Sequence, residues 1–277
     1  MIKPLTITHP INFKAHHANL IEQSDEIRNS LGYYNHTTCF FRYNNHDDNT
    51  DYFVINSLKE NKSKKPLEIV SLGCSFGEEV YSYALGLDDL AKKANIVGID
   101  ISPDAISDAQ IGEYRLDFDE KDLFINRETR NKDKSLDEII SKAFSENFET
   151  SNLFGSKYKK KEGHLENCEF LVSDIDKMKE IFKPNSKDVV LCRFVFYHFD
   201  DDMLKVLNSI LQSYEILKPG GLFCLSKGEY KHYEKAVTSI GFKQPYKEKP
   251  WIFQKPETKI QKIKRKLGKL LNHKSNF

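Results

Sequence analysis

The 277-residue chain has five cysteines, one tryptophan and no long apolar run, and each shortage closes off a class of protein. No window reaches the roughly 20 apolar residues that a membrane-spanning helix needs. The opening MIKPLTITHPINFKAHH lacks the apolar stretch of a secretory signal, so a cytoplasmic location is expected. Cys39, Cys74, Cys168, Cys192 and Cys224 are scattered, with no C-x-x-C pair. An odd, dispersed set suits reduced thiols better than a disulfide framework or a zinc site, and no metal is expected. Neither charge sign dominates: 42 basic residues face 41 acidic ones, leaving net +1 and no overall field to select nucleic acid. Also missing are G-x-G-x-x-G and any G-K-[ST] ending, the patterns by which backbone N–H groups cradle a diphosphate.

What the chain does have is concentrated between Leu67 and Asp100, LEIVSLGCSFGEEVYSYALGLDDLAKKANIVGID. This reads as an apolar strand, a turn of small residues, an amphipathic helix and a second apolar strand closed by a carboxylate. Gly73, Ser75 and Gly77 let the backbone pass close to a ligand. The helix opening at Glu78 points its N-terminus at that spot, and Asp100 is placed for ribose hydroxyls. Glu78 and Glu79 at the mouth would repel a pyrophosphate but suit a sulfonium and an amino group, as in S-adenosylmethionine. The same two carboxylates would equally complement the positive end of the helix.

Further strands are expected at 95–99, 169–172, 188–192 and 222–226, and helices at 78–92, 103–111 and 201–217. Their continuous apolar runs suit strands covered on both faces. Strands alternating with helices predict an α/β fold, a doubly wound, Rossmann-like and mostly parallel sheet. Lys218-Pro219-Gly220-Gly221 reads as a helix stop and turn, and 230–253 as a last helix and closing hairpin. Residues 1–60 form a short N-terminal extension, with a helix over 18–31 and a polar loop from His36. The main domain is expected over 61–255, interrupted by a charged insertion at 113–166 that is helical around 136–144. Residues 256–277 carry seven Lys/Arg and one acid, with apolar residues at helical spacing. That basic amphipathic tail suits weak contact with an anionic membrane or a partner, or a helix packed on its own domain.

The segment GCSFGEEVYSYA resembles the signature of the CheR-type, chemotaxis-receptor methyltransferases, C-S-x-G-E-E-x-Y-S. Four further stretches resemble the same family in the same order. They are Thr38-Cys39-Phe40-Phe41-Arg42, Gly98-Ile99-Asp100-Ile101-Ser102, Ala109 to Arg115 (AQIGEYR), and Asp188 to Asp200 (DVVLCRFVFYHFD) with Leu217-Lys218-Pro219-Gly220-Gly221. The resemblance covers about residues 37–229 and implies a class I methyltransferase that uses S-adenosyl-L-methionine and releases S-adenosyl-L-homocysteine.

Carried over by position, the resemblance places Gly73, Ser75 and Glu78 around the methionine part of the cofactor, with Thr38 and Cys74 also in the cofactor site. It assigns Asp100 to the ribose, Ile101 to the adenine face, and Asp174 and Ile175 to the adenine edge. Asp174 suits equally well the cap of a following helix. Arg193 is expected to face the transfer centre. Arg42 is the candidate cation for orienting an acceptor carboxylate, or else an ordinary ion-pair partner in a polar loop. Tyr197 and His198 complete the catalytic candidates.

Two positions depart from the family: its C-R-N-V reads Cys192-Arg193-Phe194-Val195, and the tyrosine of its Y-F-D is His198. The expected acceptor is a carboxylate on a protein. With His198 as base, a hydroxyl or amine acceptor, on a protein or a small molecule, is the alternative. His198 also suits a purely structural place at a strand end. A third reading is a cofactor-binding protein without turnover.

Overall fold

The computed structural model describes residues 40–41, 50–60, 65–115, 134–151, 157–199 and 202–258, all within one unit that spans 38–277. The N-terminal helix expected at 18–31, Thr38, Arg42 and the tail from 259 lie outside the described residues.

The chain forms α1 (Thr50–Glu60), β1 (Leu67–Leu72), α2 (Glu78–Leu87), β2 (Ala94–Asp100), α3 (Pro103–Ile111) and β3 (Glu113–Arg115). It continues through α4 (Lys134–Asn147), β4 (Phe148–Thr150), β5 (Lys157–Lys160), β6 (Cys168–Val172) and α5 (Met178–Ile181). The last elements are β7 (Lys187–Leu191), α6 (Met203–Ile216), β8 (Leu217–Cys224), α7 (Lys227–Ile240) and β9 (Ile252–Gln254). Six strands make the central sheet in the order β6-β2-β1-β7-β8-β9. All neighbours are parallel except β9, which runs against β8. This is the expected α/β, doubly wound, mostly parallel sheet.

The apolar runs are explained by burial on both faces: Ile69, Val70, Val189, Val190 and Leu191 are all fully buried. Strand order reverses between β1 and β7, and in doubly wound sheets the crevice outside the carboxyl ends at such a reversal receives the ligand. The residues after Leu72 and Leu191 therefore occupy the position that matters.

Helix ends follow their sequence signals. Ser102 caps α3 by accepting from the Ala105 N–H at 3.2 Å, Pro103 stands in its first turn, and Gly112 closes it in the left-handed region. Helix α2 is shorter than the expected 78–92 helix. Asp88 has φ 53°, which breaks the α ladder, and the chain continues to Lys93 as a 3-10 turn. Strand β8 starts earlier than expected. Lys218-Pro219-Gly220-Gly221 does not form a turn ahead of it but a bulge inside it, with Gly220 at φ 90° and a register shift opposite Lys187 and Val189.

Two elements were not legible in advance. Helix α1 begins at Thr50, inside the segment expected to be a polar loop. The insertion contributes a second, antiparallel sheet in the order β3-β5-β4, beside helix α4, which spans the predicted helical stretch. Among the described residues, no helix is long and apolar enough to cross a membrane.

Candidate active site

The turn from Gly73 to Gly77 is tied to the end of β2 by two backbone donors. The Cys74 N–H donates to the Ile99 carbonyl at 2.9 Å, and the Ser75 N–H donates to Asp100 Oδ2 at 2.8 Å. The other carboxylate oxygen of Asp100 accepts from the Ser102 N–H at 2.9 Å. Asp100 thus holds two loops at once, and it is 7% exposed at the strand's end. A carboxylate fixed by backbone donors keeps lone pairs for further donors such as ribose hydroxyls.

Small residues are required at this turn. Gly73 has φ 62°, and a Cβ there would stand 2.9 Å from Val195 Cγ2. Gly77 has φ 89°, with Phe170 and Ala109 equally close to any added Cβ. Ser75 itself is left-handed at φ 51°. The turn is braced from the insertion side, where the Tyr114 hydroxyl donates to the Phe76 carbonyl at 2.6 Å. The AQIGEYR motif is thereby explained: Ala109 underlies Gly77, Gly112 ends α3, and Tyr114 reaches the turn.

Cys74 is a small apolar group here. Burial, then the charges of Asp100, Glu79 and Glu78, push its thiol well above the usual range, so it stays protonated. The adjacent pair of carboxylates divides its work. Glu79 Oε2 accepts from the Ser71 hydroxyl at 2.7 Å and its Oε1 lies 3.3 Å from Arg193 Nη1. Glu78 is buried at the start of α2, beside the turn.

Ile101 and Val172 stand at the ends of neighbouring strands, each about half exposed, and present an apolar face next to Asp100. Ile175 is buried in the core. Asp174 caps the short 3-10 turn Ile175–Lys177 through the Asp176 N–H at 3.1 Å, and its other oxygen lies 3.4 Å from Lys205 Nζ. The capping alternative is therefore realised, and it leaves Asp174 at the same strand end as the apolar face.

Arg193, expected at the transfer centre, is held inside the fold. Its guanidinium is buried and paired with Asp51 at the start of α1 and with Glu79 on α2. It joins the two helices to the end of β7. Asp51 was missed, because nothing in sequence links it to a residue so distant.

The loop after β7 carries the remaining candidates. Tyr197 and His198 lie exposed in the 3-10 turn Phe196–His198. Burial and then the Glu229 charge push the Tyr197 phenol upward. The Phe194 ring, 6.4 Å from that of Tyr197, sits on a left-handed backbone at φ 62°. This gives the departure from the family's Asn a physical meaning, since Asn tolerates that conformation far better than Phe.

Glu229 was also missed. It accepts from the N–H groups of Phe194 at 2.7 Å and Phe196 at 2.8 Å, and forms a capping box with Ser226 at the start of α7. Ser226-Lys227-Gly228-Glu229 after a strand is the S-x-x-E pattern that could have found it. Of the motif T-C-F-F-R, only the two phenylalanines are described. Phe40 packs edge-on to Tyr114, Phe144 and Phe148, and the Phe41 N–H donates to Ser82 Oγ at 2.8 Å, which fixes the chain beside α2.

The residues present fit S-adenosylmethionine. There is a side-chain-free cradle at Gly73 and Gly77, a buried carboxylate at a strand end, an adjoining apolar face, and an acidic helix start suited to cationic groups.

The chain is similar to several known proteins. Chemotaxis protein methyltransferase 2 of Vibrio cholerae serotype O1 (strain ATCC 39315 / El Tor Inaba N16961) is 26% identical over 219 residues, covering 76% of this chain and 70% of that protein. Among solved structures, the CurJ carbon methyltransferase aligns over 76% of this chain and 55% of its own, at 12% identity and TM-score 0.43. YcgJ from Bacillus subtilis aligns over 70% and 68%, at 12% identity and TM-score 0.39. Phosphoethanolamine N-methyltransferase 2 of Haemonchus contortus, solved with S-adenosyl-L-methionine, aligns over 69% and 36%, at 14% identity and TM-score 0.37. The family profile described as CheR methyltransferase, SAM binding domain, matches residues 36–240, and the chain belongs to that family of S-adenosylmethionine-dependent methyltransferases.

Proposed function

We propose that this enzyme methylates a carboxylate on a protein, forming a methyl ester. The observation that carries the reading is the Gly73–Gly77 turn bound to Asp100, with the loop that bears exposed Tyr197 and His198 packed on Gly73 through Val195. The relative named chemotaxis protein methyltransferase 2 supports a protein acceptor.

In this reading Asp100 accepts the ribose hydroxyls, Ile101 and Val172 hold the adenine face, and Asp174 and Ile175 lie at its edge. Glu78, with the Gly73-Cys74-Ser75 backbone and Thr38, attends the methionine end. S-adenosylmethionine supplies a methyl group on a sulfonium, and the donor leaves as neutral S-adenosylhomocysteine. An acceptor carboxylate is already ionised near neutral pH and needs no base to take the methyl group. It needs alignment and exclusion of water instead. Arg42 is the cation that orients it in this reading, its guanidinium matching a carboxylate in fork geometry. Tyr197 lines the acceptor side.

A second reading rests on His198, which is exposed on the same loop and whose ring makes no hydrogen bond among the described residues. With His198 taking the proton, the acceptor becomes a hydroxyl or an amine. The two readings separate on the product. Purified enzyme is incubated with methyl-labelled S-adenosylmethionine and a cell extract, and the labelled proteins are then treated with mild base. Release of volatile methanol supports the ester. Label that survives base rejects it and supports the second reading.

A further inference from the structure

We propose that Glu229 is a positioning residue for cofactor binding: its carboxylate holds the Phe194–Phe196 backbone, and through Val195 it sets the wall against Gly73. The inference rests on the reading that the Gly73 turn lines the cofactor site.

Three links carry it. Glu229 is fully buried, and its two oxygens divide the donors, with Oε1 accepting from the Phe196 N–H and Oε2 from the Phe194 N–H. Phe194 sits in the left-handed region, where an aromatic residue stays only if its surroundings hold it there. Val195, between the two clamped N–H groups, fills the space a Gly73 side chain would take, with Cγ2 2.9 Å from that Cβ position. Gly73 leads into the turn that Asp100 holds by its Ser75 N–H. A side chain on α7 thus fixes the far wall of a site centred on β1 and β2. The helix-capping share of Glu229 runs through the Ser226 N–H and hydroxyl, 3.3 and 2.8 Å from Oε2, the oxygen that also takes the Phe194 N–H, whereas Oε1 takes the Phe196 N–H.

The test is calorimetric titration with S-adenosylmethionine of the wild type and of Asp100→Ala, Glu229→Gln, Phe194→Asn, the Glu229→Gln/Phe194→Asn double variant and Ser226→Ala, with melting curves for each. An amide at 229 presents a donor to one of the two N–H groups and breaks the clamp. Glu229→Gln is expected to weaken binding at least tenfold while still folded at the titration temperature. Phe194→Asn should bind within twofold of wild type. The double variant should recover most of the loss, because Asn holds the left-handed backbone without the clamp. Ser226→Ala should melt earlier yet bind normally.

Unchanged affinity in Glu229→Gln overturns the proposal, as does a double variant no better than Glu229→Gln. So does Ser226→Ala reproducing the loss, which would reduce Glu229 to a helix cap. Should Glu229→Gln fail to fold, Val195→Ala cuts the last link instead: weaker binding supports the proposal and unchanged binding overturns it. Wild-type protein that binds no S-adenosylmethionine, or binds it equally well without Asp100, defeats the underlying site reading, and the proposal falls with it.

Discussion

Asp51 and Arg193, 142 positions apart, form an ion pair from which water is excluded, their side chains 3% and 1% exposed. Burying two charges is repaid only by close geometry, so removing one partner is far worse than never having had the pair. Arg193→Met removes the guanidinium that Asp51 and Glu79 face. It is expected to lower unfolding stability by about 3–5 kcal/mol, read by urea denaturation. A loss below about 1 kcal/mol would mean that water reaches the pair, as at a surface ion pair.

Phe194→Asn should raise stability by about 1 kcal/mol, because a left-handed backbone costs most residues about that much and Asn less. The check is a denaturant midpoint shift at unchanged slope. A lower midpoint would show that the ring's contact with Tyr197 outweighs the backbone strain.

Asp100→Ala removes the acceptor for both the Ser75 and Ser102 N–H groups as well as the candidate ribose ligand. Affinity for S-adenosylmethionine should fall at least tenfold, about 1.4 kcal/mol, in titration calorimetry. Asp100→Asn, which keeps one acceptor oxygen, should lie between the two.

Burial pushes the Cys168 thiol up to about 12 and drives the Cys74 and Cys192 thiols upward as well. The unfolded chain releases these protons near pH 8.5, so above that pH the folded state holds more protons than the unfolded one. Stability is therefore complete below about pH 8.5 and declines as pH rises toward about 12. Cys168→Ser should flatten that decline by up to about 1.4 kcal/mol per pH unit, measured by unfolding across pH 8–11. At pH 8, iodoacetamide should label Cys74 and Cys192 only after denaturant is added.

The sheet and its Gly73–Gly77 turn were legible because their signals are local. Strand β1 shows as a mostly apolar run, the turn as Gly73-Cys74-Ser75-Phe76-Gly77, and the second loop as a carboxylate at the end of β2. The insertion's sheet was not legible. Its strands are three or four residues long, and Lys157-Tyr158-Lys159-Lys160 offers no apolar run to distinguish it from a solvated loop. Long-range electrostatics were equally hidden: Arg193 looked like a site residue by its motif, and only the fold reveals Asp51 and Glu79 around it. Phe194 and Glu229 lie between these cases. The left-handed loop and the S-x-x-E cap each leave a trace in sequence, but their partnership across 35 positions does not.

The reversal of strand order between β1 and β7 also governs how the chain must be made. The Glu68 N–H at the start of β1 meets its partner Asp188 at a separation of 120 residues, across the seam between the sheet's two halves. At a synthesis rate of about 5–20 residues per second, β1 emerges about 6–24 s before β7 exists to cover its other side. During that interval the nascent chain holds β1 with one exposed edge, and the first half of the sheet waits on the ribosome for the second.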